Sequence, residues 1–273
     1  MLSILKSALN ANSQEMGVIS NNIANANSTG FKKSSTNFNH FYSKHASTSP
    51  ETFSGLGVNL TAPRLNMVQG SLKKTDGALD LAVTGNGFFT VAHANQEELP
   101  FFTRDGSFNI NTDGDLLTND GLVVMGFIAN EEGIINKEGL IQNLVIPTTR
   151  NNDDGTNSII SNINVDASGK IVAIYGLDTE VIIGSFALSS FTNVNKLTPV
   201  GNNRYRFNQE VGAPVFGTAM QGNFGKIEAG NLERANVDIT TEMVTMLKSQ
   251  QAFSGVSRLL QTEVDITKRL IDG

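Results

Sequence analysis

The sequence predicts an α+β fold in which N- and C-terminal helices that form coiled coils bracket a mainly antiparallel β middle domain. The prediction rests on an apolar stripe of helical period near the N-terminus, a second stripe that runs to the C-terminus, and short β-branched and aromatic segments between glycine turns in the middle. Four regions are expected: an N-terminal helix over 1–31, an extended connection over 32–75, a β-rich domain over 76–225 and a C-terminal helix over 226–273.

The N-terminal stripe has the 3/4 spacing of a coiled-coil seam. Between Met1 and Phe31 the only charges are Lys6 and Glu15, and the rest of the back is Ser, Asn, Gln and Ala. Because surface helices normally carry charged residues there, this back suits a helix packed on more than one side, although a helix lying only on its own core is the alternative. Gly30 suits a left-handed cap at the helix end. The seam, interrupted at Asn12, consists of Leu2, Leu5, Leu9, Met16, Ile19 and Ile23.

The C-terminal segment has the strongest helical pattern in the chain. Asn236 or Asp238 can cap it, and Glu242 falls in its first turns. Because an isolated helix gains little from its apolar stripe, we expect the two terminal helices to pack against each other and against neighbouring copies. Two helices flanking one globular core is the alternative. The seam residues are Ile239, Met243, Met246, Phe253, Leu260, Val264 and Ile271, with polar exceptions at Gln250, Ser257 and Thr267.

The middle of the chain is predicted to form hairpins. Asn111 to Gly121 and Asn164 to Gly176 share a pattern of N-x-D, a glycine turn and an apolar pair. The Ser-, Thr- and Asn-rich stretch from Lys32 to about Leu72 is expected to be extended, with a strand or two.

Composition excludes several classes of function. The chain has 20 Lys+Arg against 26 Asp+Glu and a net charge of −6, which is not the balance of a nucleic-acid-binding protein. Without Cys there is no disulfide framework, thiolate nucleophile or zinc ribbon. Apolar runs are too short to span a membrane, and the N-terminus lacks the features of a cleaved secretory signal.

No constellation of residues predicts catalysis, a cofactor or a metal. The spacing from Asn109 to Asp120 resembles a calcium loop, but its strand-like flanks favour a hairpin that turns at Asp113-Gly114. The three His, at 40, 45 and 93, show no metal-binding or catalytic spacing, and no phosphate-binding glycine motif is complete. We therefore expect a protein that is not an enzyme and has no cofactor.

The segment 20–32, SNNIANANSTGFK, resembles the N-terminal signature of the bacterial flagellar rod and hook family of axial proteins. The resemblance continues through LDLAVTGNGFFTV at 79–91, FTRDGSFNINTDGDLLTNDGLVVMG at 102–126 and GNLERANVDITTEMVTMLKSQQAFSGVSRLLQTEVDITKRLI at 230–271. Both ends and the middle therefore match. The motif residues at the N-terminus are Asn21, Asn22, Ile23, Ala24, Asn25, Asn27, Thr29, Gly30, Phe31 and Lys32.

The resemblance implies a structural subunit that is exported unfolded by the flagellar type III apparatus, without a cleaved signal peptide, and polymerises helically with its terminal helices in the inner wall of a tube. The implied partners are other copies, other rod and hook subunits, the surrounding ring proteins of the basal body and the export apparatus, with no nucleic acid and no membrane insertion. The implied location is the periplasm-spanning basal body.

The length of the chain favours a rod subunit, because hook subunits of the family usually carry an additional large β domain. The GFF and FTRDGSF segments resemble the distal type of rod subunit most, whereas SGVSRLL departs from the family pattern. A proximal rod subunit or a short hook subunit is the alternative within the family. From a different class, a secreted β-domain adhesin or enzyme with a helical stem is also considered.

Overall fold

A computed structural model describes residues 2–43, 54–94, 99–130, 133–135, 140–151, 157–176 and 179–272, and it confirms the α+β class. The chain divides into two compact units, and neither of them is continuous in sequence. The first unit comprises Met1–Ala26, Lys33–Asn66 and Val237–Gly273, and the second comprises Asn27–Lys32 and Met67–Asn236.

The first unit contains the two long helices, α1 (Leu2–Ala24) and α2 (Ile239–Asp272). Asp238 caps α2, since its Oδ1 accepts a hydrogen bond from the Thr240 backbone N–H at 2.9 Å, which decides between the two caps that the sequence offered. Four strands in two antiparallel pairs complete the unit: β1 (Ser34–Ser35) with β4 (Arg64–Leu65), and β2 (Phe38–Ser43) with β3 (Ser54–Leu60).

The second unit is built on antiparallel sheet. Nine strands run in the order β13-β14-β15-β16-β11-β7-β8-β19-β18, five further strands branch from this path, and two small ladders pair β21 with β6 and β22 with β5. The strands are β5 (Leu72–Lys74), β6 (Leu81–Thr84), β7 (Phe88–Ala92), β8 (Phe101–Thr103), β9 (Phe108–Ile110), β10 (Leu116–Thr118), β11 (Val123–Ile128), β12 (Gln142–Asn143), β13 (Thr149–Asn151), β14 (Asn157–Val165), β15 (Lys170–Tyr175), β16 (Thr179–Phe186), β17 (Leu188–Ser190), β18 (Thr198–Pro199), β19 (Arg204–Arg206), β20 (Val215–Gly217), β21 (Lys226–Ala229) and β22 (Asn231–Glu233), with one 3₁₀ turn at Val194–Lys196.

The C-terminal helix begins later than the expected region 226–273. Residues 226–233 form β21 and β22, and the helix starts at Ile239. The alternation in Lys226–Ala229 buries Ile227 within the second unit, and Gly230 turns the chain with a φ of +67° between the two strands. Strand pairing therefore determines the structure of this segment, which carries no helical apolar period of its own.

Phenylalanine side chains form the centre of the second unit. Phe89 meets Phe108 edge-to-face at a centroid distance of 5.1 Å, and Phe108 stacks on Phe186 at 5.9 Å. All three are at most 4% exposed. Edge-to-face and offset packing of this kind adds to the stability that area burial provides.

The two segments that share a sequence pattern form the same turn. Asn111 and Asp166 each begin a hairpin whose first backbone N–H donates to the carbonyl four residues later, at 3.1 and 3.0 Å. Gly114 and Gly169 occupy the fourth position with φ of +90° and +77°, where a side chain would be strained. The predicted hairpin is thus confirmed in both places.

We predict that the first of these hairpins binds no calcium. The side-chain oxygen of Asn111 accepts the backbone N–H of Asp113 at 3.0 Å and that of Asp115 at 2.7 Å, and the Asn111 amide donates to the Asp115 carboxylate at 3.0 Å. These oxygens therefore serve the turn, whereas a calcium loop directs them at one ion about 2.3–2.6 Å away.

Calorimetric titration of the full chain with millimolar calcium should give no heat, and the melting temperature should match that of a magnesium control of equal ionic strength. A saturable response that Asp113→Ala abolishes would contradict the hairpin assignment.

Candidate assembly surface and the buried ion cluster

Helices α1 and α2 pack antiparallel within the first unit. The Asn22 amide nitrogen donates to Glu242 Oε2 at 3.1 Å, and Ser249 Oγ donates to Glu15 Oε2 at 3.0 Å. As the residue number falls along α1, the number of its partner rises along α2. The expectation that the terminal helices pack against each other therefore agrees with the pairing found inside one chain.

The predicted seam of α1 lies beside the face that contacts α2. Ile19 is buried, and the other seam residues are partly buried, apart from Leu2, which is 45% exposed. The residues of α1 that are buried besides Ile19 are Ala11 and Asn22. Leu5, Leu9, Met16 and Ile23 each keep part of their surface open.

The predicted seam of α2 divides between two faces. Met246, Phe253 and Leu260 are partly buried, and the buried side chains of the helix are Glu242 and Ser249, which continue the same 4/3 spacing. The sequence pattern missed these two residues because polar side chains at seam positions resemble an outer face. The remaining seam residues are exposed, namely Ile239 at 38%, Met243 at 51%, Val264 at 45% and Ile271 at 78%.

Asn22, a member of the N-terminal motif, joins α1 to the segment that follows it. Its amide nitrogen also donates to the Ser34 carbonyl at 2.9 Å, and its side-chain oxygen accepts the Ser34 N–H at 3.0 Å. Lys33 Nζ lies 3.4 Å from Glu242 Oε1, the second oxygen of the same carboxylate. Every hydrogen-bonding group of the buried Asn22 amide except one lone pair is thus used within the first unit.

The end of the motif lies in the second unit, at a buried ion cluster. Lys32 Nζ pairs with Glu233 Oε1 at 2.5 Å and donates to the Val68 carbonyl at 2.9 Å. Arg104 Nη1 lies 3.4 Å from Glu233 Oε2, and its Nη2 donates to the Gly85 carbonyl at 2.9 Å. Lys32 and Glu233 are essentially inaccessible to solvent, and Arg104 is 5% exposed.

Hydrogen bonds to the backbone fix the segments that surround this cluster. The Gly30 N–H donates to the Glu233 carbonyl at 2.8 Å, and the Gly70 N–H donates to its side-chain Oε1 at 2.9 Å. A Cβ at Gly30 would lie 2.5 Å from the Asp105 nitrogen, and the φ there is +69°, so the motif requires glycine at this point. Asn203 Nδ2 donates to the Thr29 carbonyl at 2.7 Å.

Burial governs the electrostatics of the cluster. Loss of water lowers the pKa of Lys32, and the adjacent Glu233 carboxylate opposes that shift. Burial likewise lowers the pKa of Arg104, again against the opposing effect of Glu233. Burial also raises the pKa of the Tyr205 hydroxyl. The Arg104 guanidinium lies 4.8 Å from the centroid of the Phe88 ring, which adds a cation–π contact. One carboxylate therefore offsets two buried cations.

Sequence reasoning did not connect these residues, because Lys32, Arg104 and Glu233 lie far apart along the chain. Each falls inside a segment that carries the family resemblance, at 20–32, 102–126 and 230–271. Membership of these segments was the only signal in the sequence, and it does not single out the three charged residues among the others there. Of the remaining motif residues, Asn21, Ala24 and Asn27 are exposed.

A polar cleft in the second unit has carboxylates that are already partnered. Asp105 accepts the hydroxyl of Ser107 at 2.6 Å, and Asp120 Oδ2 lies 3.2 Å from Arg204 Nε. Burial raises the pKa of Asp105, while its hydrogen bonds to Ser107 act in the opposite direction. His45 and the side chain of His40 lie outside the described residues, and within those residues no three His, Asp or Glu side chains are grouped to hold a metal.

Neither helix reaches the length and hydropathy needed to cross a membrane, within the part of the chain that the structure describes. Exposed apolar side chains along an amphipathic helix are typical of a surface that another protein covers, and they indicate the class of structural subunits.

Comparison with known protein families identifies the particular family of structural subunits. Residues 2–32 match the family model "Flagella basal body rod protein", residues 82–173 match "Flagellar hook protein FlgE/F/G D1 domain", and residues 228–272 match "Flagellar basal body rod FlgEFG protein C-terminal". The chain is 30% identical to the flagellar basal-body rod protein FlgG of Buchnera aphidicola subsp. Acyrthosiphon pisum over 98% of this chain and 96% of that protein. It is 29% identical to the FlgG of Agrobacterium fabrum over 96% and 94%. The chain belongs to the flagellar basal-body rod protein family.

We predict that breaking the ion cluster destabilises the second unit strongly. Lys32→Met leaves the buried Glu233 carboxylate without its nearest cation, and removing one partner of a buried pair costs about 3–5 kcal/mol. Denaturant unfolding of the full chain, followed by tyrosine fluorescence, measures the loss.

Lys196→Met is the matched control, because Lys196 is 59% exposed in its pair with Glu210. Its unfolding midpoint should equal that of the parent. Equal midpoints for both variants would show that the cluster does not stabilise the unit.

Proposed function

We propose that this chain is a structural, non-catalytic subunit of the flagellar rod, whose copies polymerise helically into the axial shaft through their paired terminal helices. The full-length similarity to rod proteins supports the rod, and the two helices support the mode of assembly. Other copies and other axial subunits of rod and hook are the partners that follow from this function.

The observation that carries the proposal is the apolar surface that α2 leaves open. Val244, Leu247, Leu259 and Ile266 are 47%, 58%, 60% and 51% exposed, and Leu270 is 78% exposed. Exposed apolar area of this extent along one element is typical of an interface. Because α2 has 34 residues and α1 has 23, the antiparallel pairing covers only part of α2.

The outer face of α1 suits close approach of another helix. Asn10, Ser13, Gly17 and Ser20 follow one another at 3/4 spacing and are all exposed. A Cβ built at Gly17 would meet no atom within 4 Å. Such a face can be covered by a neighbouring subunit without burying an unpaired charge.

The proposal also covers the location of the subunit and its route of export. We place the subunit in the periplasm-spanning part of the basal body, in contact with the ring proteins around the rod, after export by the type III apparatus without a cleaved signal peptide. The N-terminal motif supports this route. The similarity of the GFF and FTRDGSF segments supports the distal part of the rod.

A hook subunit is a weaker candidate. The flagellar hook protein FlgE of Helicobacter mustelae is 38% identical over 136 residues, which cover 46% of this chain and 30% of that protein. The similarity to rod proteins extends over nearly the whole of both chains, which favours the rod over a hook subunit, adhesin or stalked enzyme. A proximal rod subunit is the remaining alternative.

We predict that Leu9→Asp and Leu260→Asp each abolish motility while the second unit stays folded. Both leucines are partly buried and belong to the proposed seams. Burying an unpaired carboxylate in the assembled helix layer costs several kcal/mol. Swimming and the length of rods in isolated basal bodies measure the effect in a strain that carries only the variant.

Leu140→Asp is the control, because Leu140 is 87% exposed in the second unit. It should swim like the parent. Complete rods and normal swimming with either seam variant would contradict assembly through these helices.

A further inference from the structure

Two polar pairs interrupt the contact between α1 and α2. The amide of Asn22 binds Glu242, and the carboxylate of Glu15 accepts the hydroxyl of Ser249. On each helix the two members are seven residues apart, which is one heptad. We propose that these pairs select the register of the antiparallel helix pair, because every slip by one heptad brings a carboxylate against an unsuitable partner. The inference concerns contacts inside one chain and goes beyond the proposed rod function.

A slip in one direction brings two carboxylates together. Seven residues correspond to a shift of about 10.5 Å along the helix. When α2 moves by this distance toward one end, Glu15 comes to lie opposite Glu242. Like charges in a partly dehydrated contact disfavour each other strongly, so this register is excluded.

A slip in the opposite direction leaves a carboxylate without a partner. Glu15 then lies opposite Val256, and Glu242 loses the Asn22 amide. A carboxylate held against an aliphatic side chain loses its hydration without gaining a hydrogen bond. This register is therefore also unfavourable, although Asn22 and Ser249 could still bind each other.

The apolar residues of the contact cannot make this choice alone. Met246, Phe253 and Leu260 repeat by heptads, so a slip by seven residues in either direction still places an apolar side chain of α2 opposite Ala11. Methionine adapts readily to a different neighbour. The discrimination between registers thus falls to the polar pairs.

Asn22 cannot adjust to another partner either. Its amide is fixed by two hydrogen bonds with the Ser34 backbone, at 2.9 and 3.0 Å, so its remaining donor points in a set direction. Lys33 Nζ, 3.4 Å from the other oxygen of Glu242, adds a charge of the right sign on the same side. The start of α2 is thereby tied to the end of α1.

The chain contains no Cys, so engineered disulfides can report the register directly. Continuing the observed pairing by four residues places Ala11 opposite Phe253, and the slipped registers place it opposite Leu260 or Met246. A disulfide needs Cα atoms within about 4.4–6.8 Å, so each pair of cysteines reports one register. Three reporter chains, Ala11→Cys combined with Phe253→Cys, Leu260→Cys or Met246→Cys, are oxidised at low protein concentration and scored by peptide mass.

The test variant is Glu15→Met with Glu242→Met, which removes both carboxylates and leaves the Asn22–Ser34 contact intact. The charge-matched control is Asp265→Met with Asp272→Met, at exposed positions of α2. The parent and the control should form only the disulfide between positions 11 and 253. In the test variant the two slipped disulfides should rise about tenfold at the expense of that disulfide.

Circular dichroism checks that the helices persist in the test variant. If the helices are lost, the test uses Glu15→Gln with Glu242→Gln instead, because glutamine keeps the shape of the glutamate side chain. A test variant with the same single disulfide as the parent would overturn the proposal. Slipped disulfides in the parent, or the absence of the disulfide between positions 11 and 253 there, would overturn it equally.

Discussion

The Glu233 carboxylate is the group on which the second unit depends most. It forms ion pairs with Lys32 and Arg104 and accepts a hydrogen bond from the Gly70 N–H. The backbone carbonyl of the same residue accepts a hydrogen bond from the Gly30 N–H. These contacts join four parts of the chain that the sequence separates widely, namely residues 30–32, Gly70, Arg104 and Glu233. A buried carboxylate with two cations is unfavourable unless its hydrogen bonds are complete, so the arrangement demands a single geometry of the surrounding backbone.

The first unit also contains a glutamate carboxylate that binds a lysine and a further polar group. Lys33, the residue after Lys32, pairs with Glu242, whose carboxylate also binds Asn22. The consecutive residues Lys32 and Lys33 thus form ion pairs with carboxylates of different units. In both cases an N-terminal residue near the motif is matched with a glutamate near the start of the C-terminal region, so the two ends of the chain must come together for either unit to be complete.

Local chemistry allowed the sequence to predict part of this structure. The turn at Asp113-Gly114 follows from glycine at a position of positive φ, and the helices follow from their apolar periods. The region 226–273 assigned to the C-terminal helix began too early because Lys226–Ala229 adopts strand only through its pairing with β6, although the cap at Asp238 was one of the two that the sequence offered. The inward orientation of Glu242 and Ser249 was also not predictable, since periodicity locates apolar stripes and says nothing of polar side chains satisfied across a contact. The ion cluster depends wholly on contacts that are remote in sequence.

The two charged residues of α1 lie on different parts of its surface. Glu15 and Lys6 are the only charges of α1, and Glu15 lies toward α2, where it meets Ser249. From Asn10 to Ser20 the outer face carries small uncharged groups, which lose little hydration free energy when a neighbour covers them, whereas Lys6 is exposed near the start of the helix. Charges inside a contact select one arrangement, whereas uncharged small groups permit close packing at modest cost. From Asn10 to Ser20 of α1 the one charged group, Glu15, therefore lies at the contact with α2, and the open face of the same stretch can be covered without burying a charge.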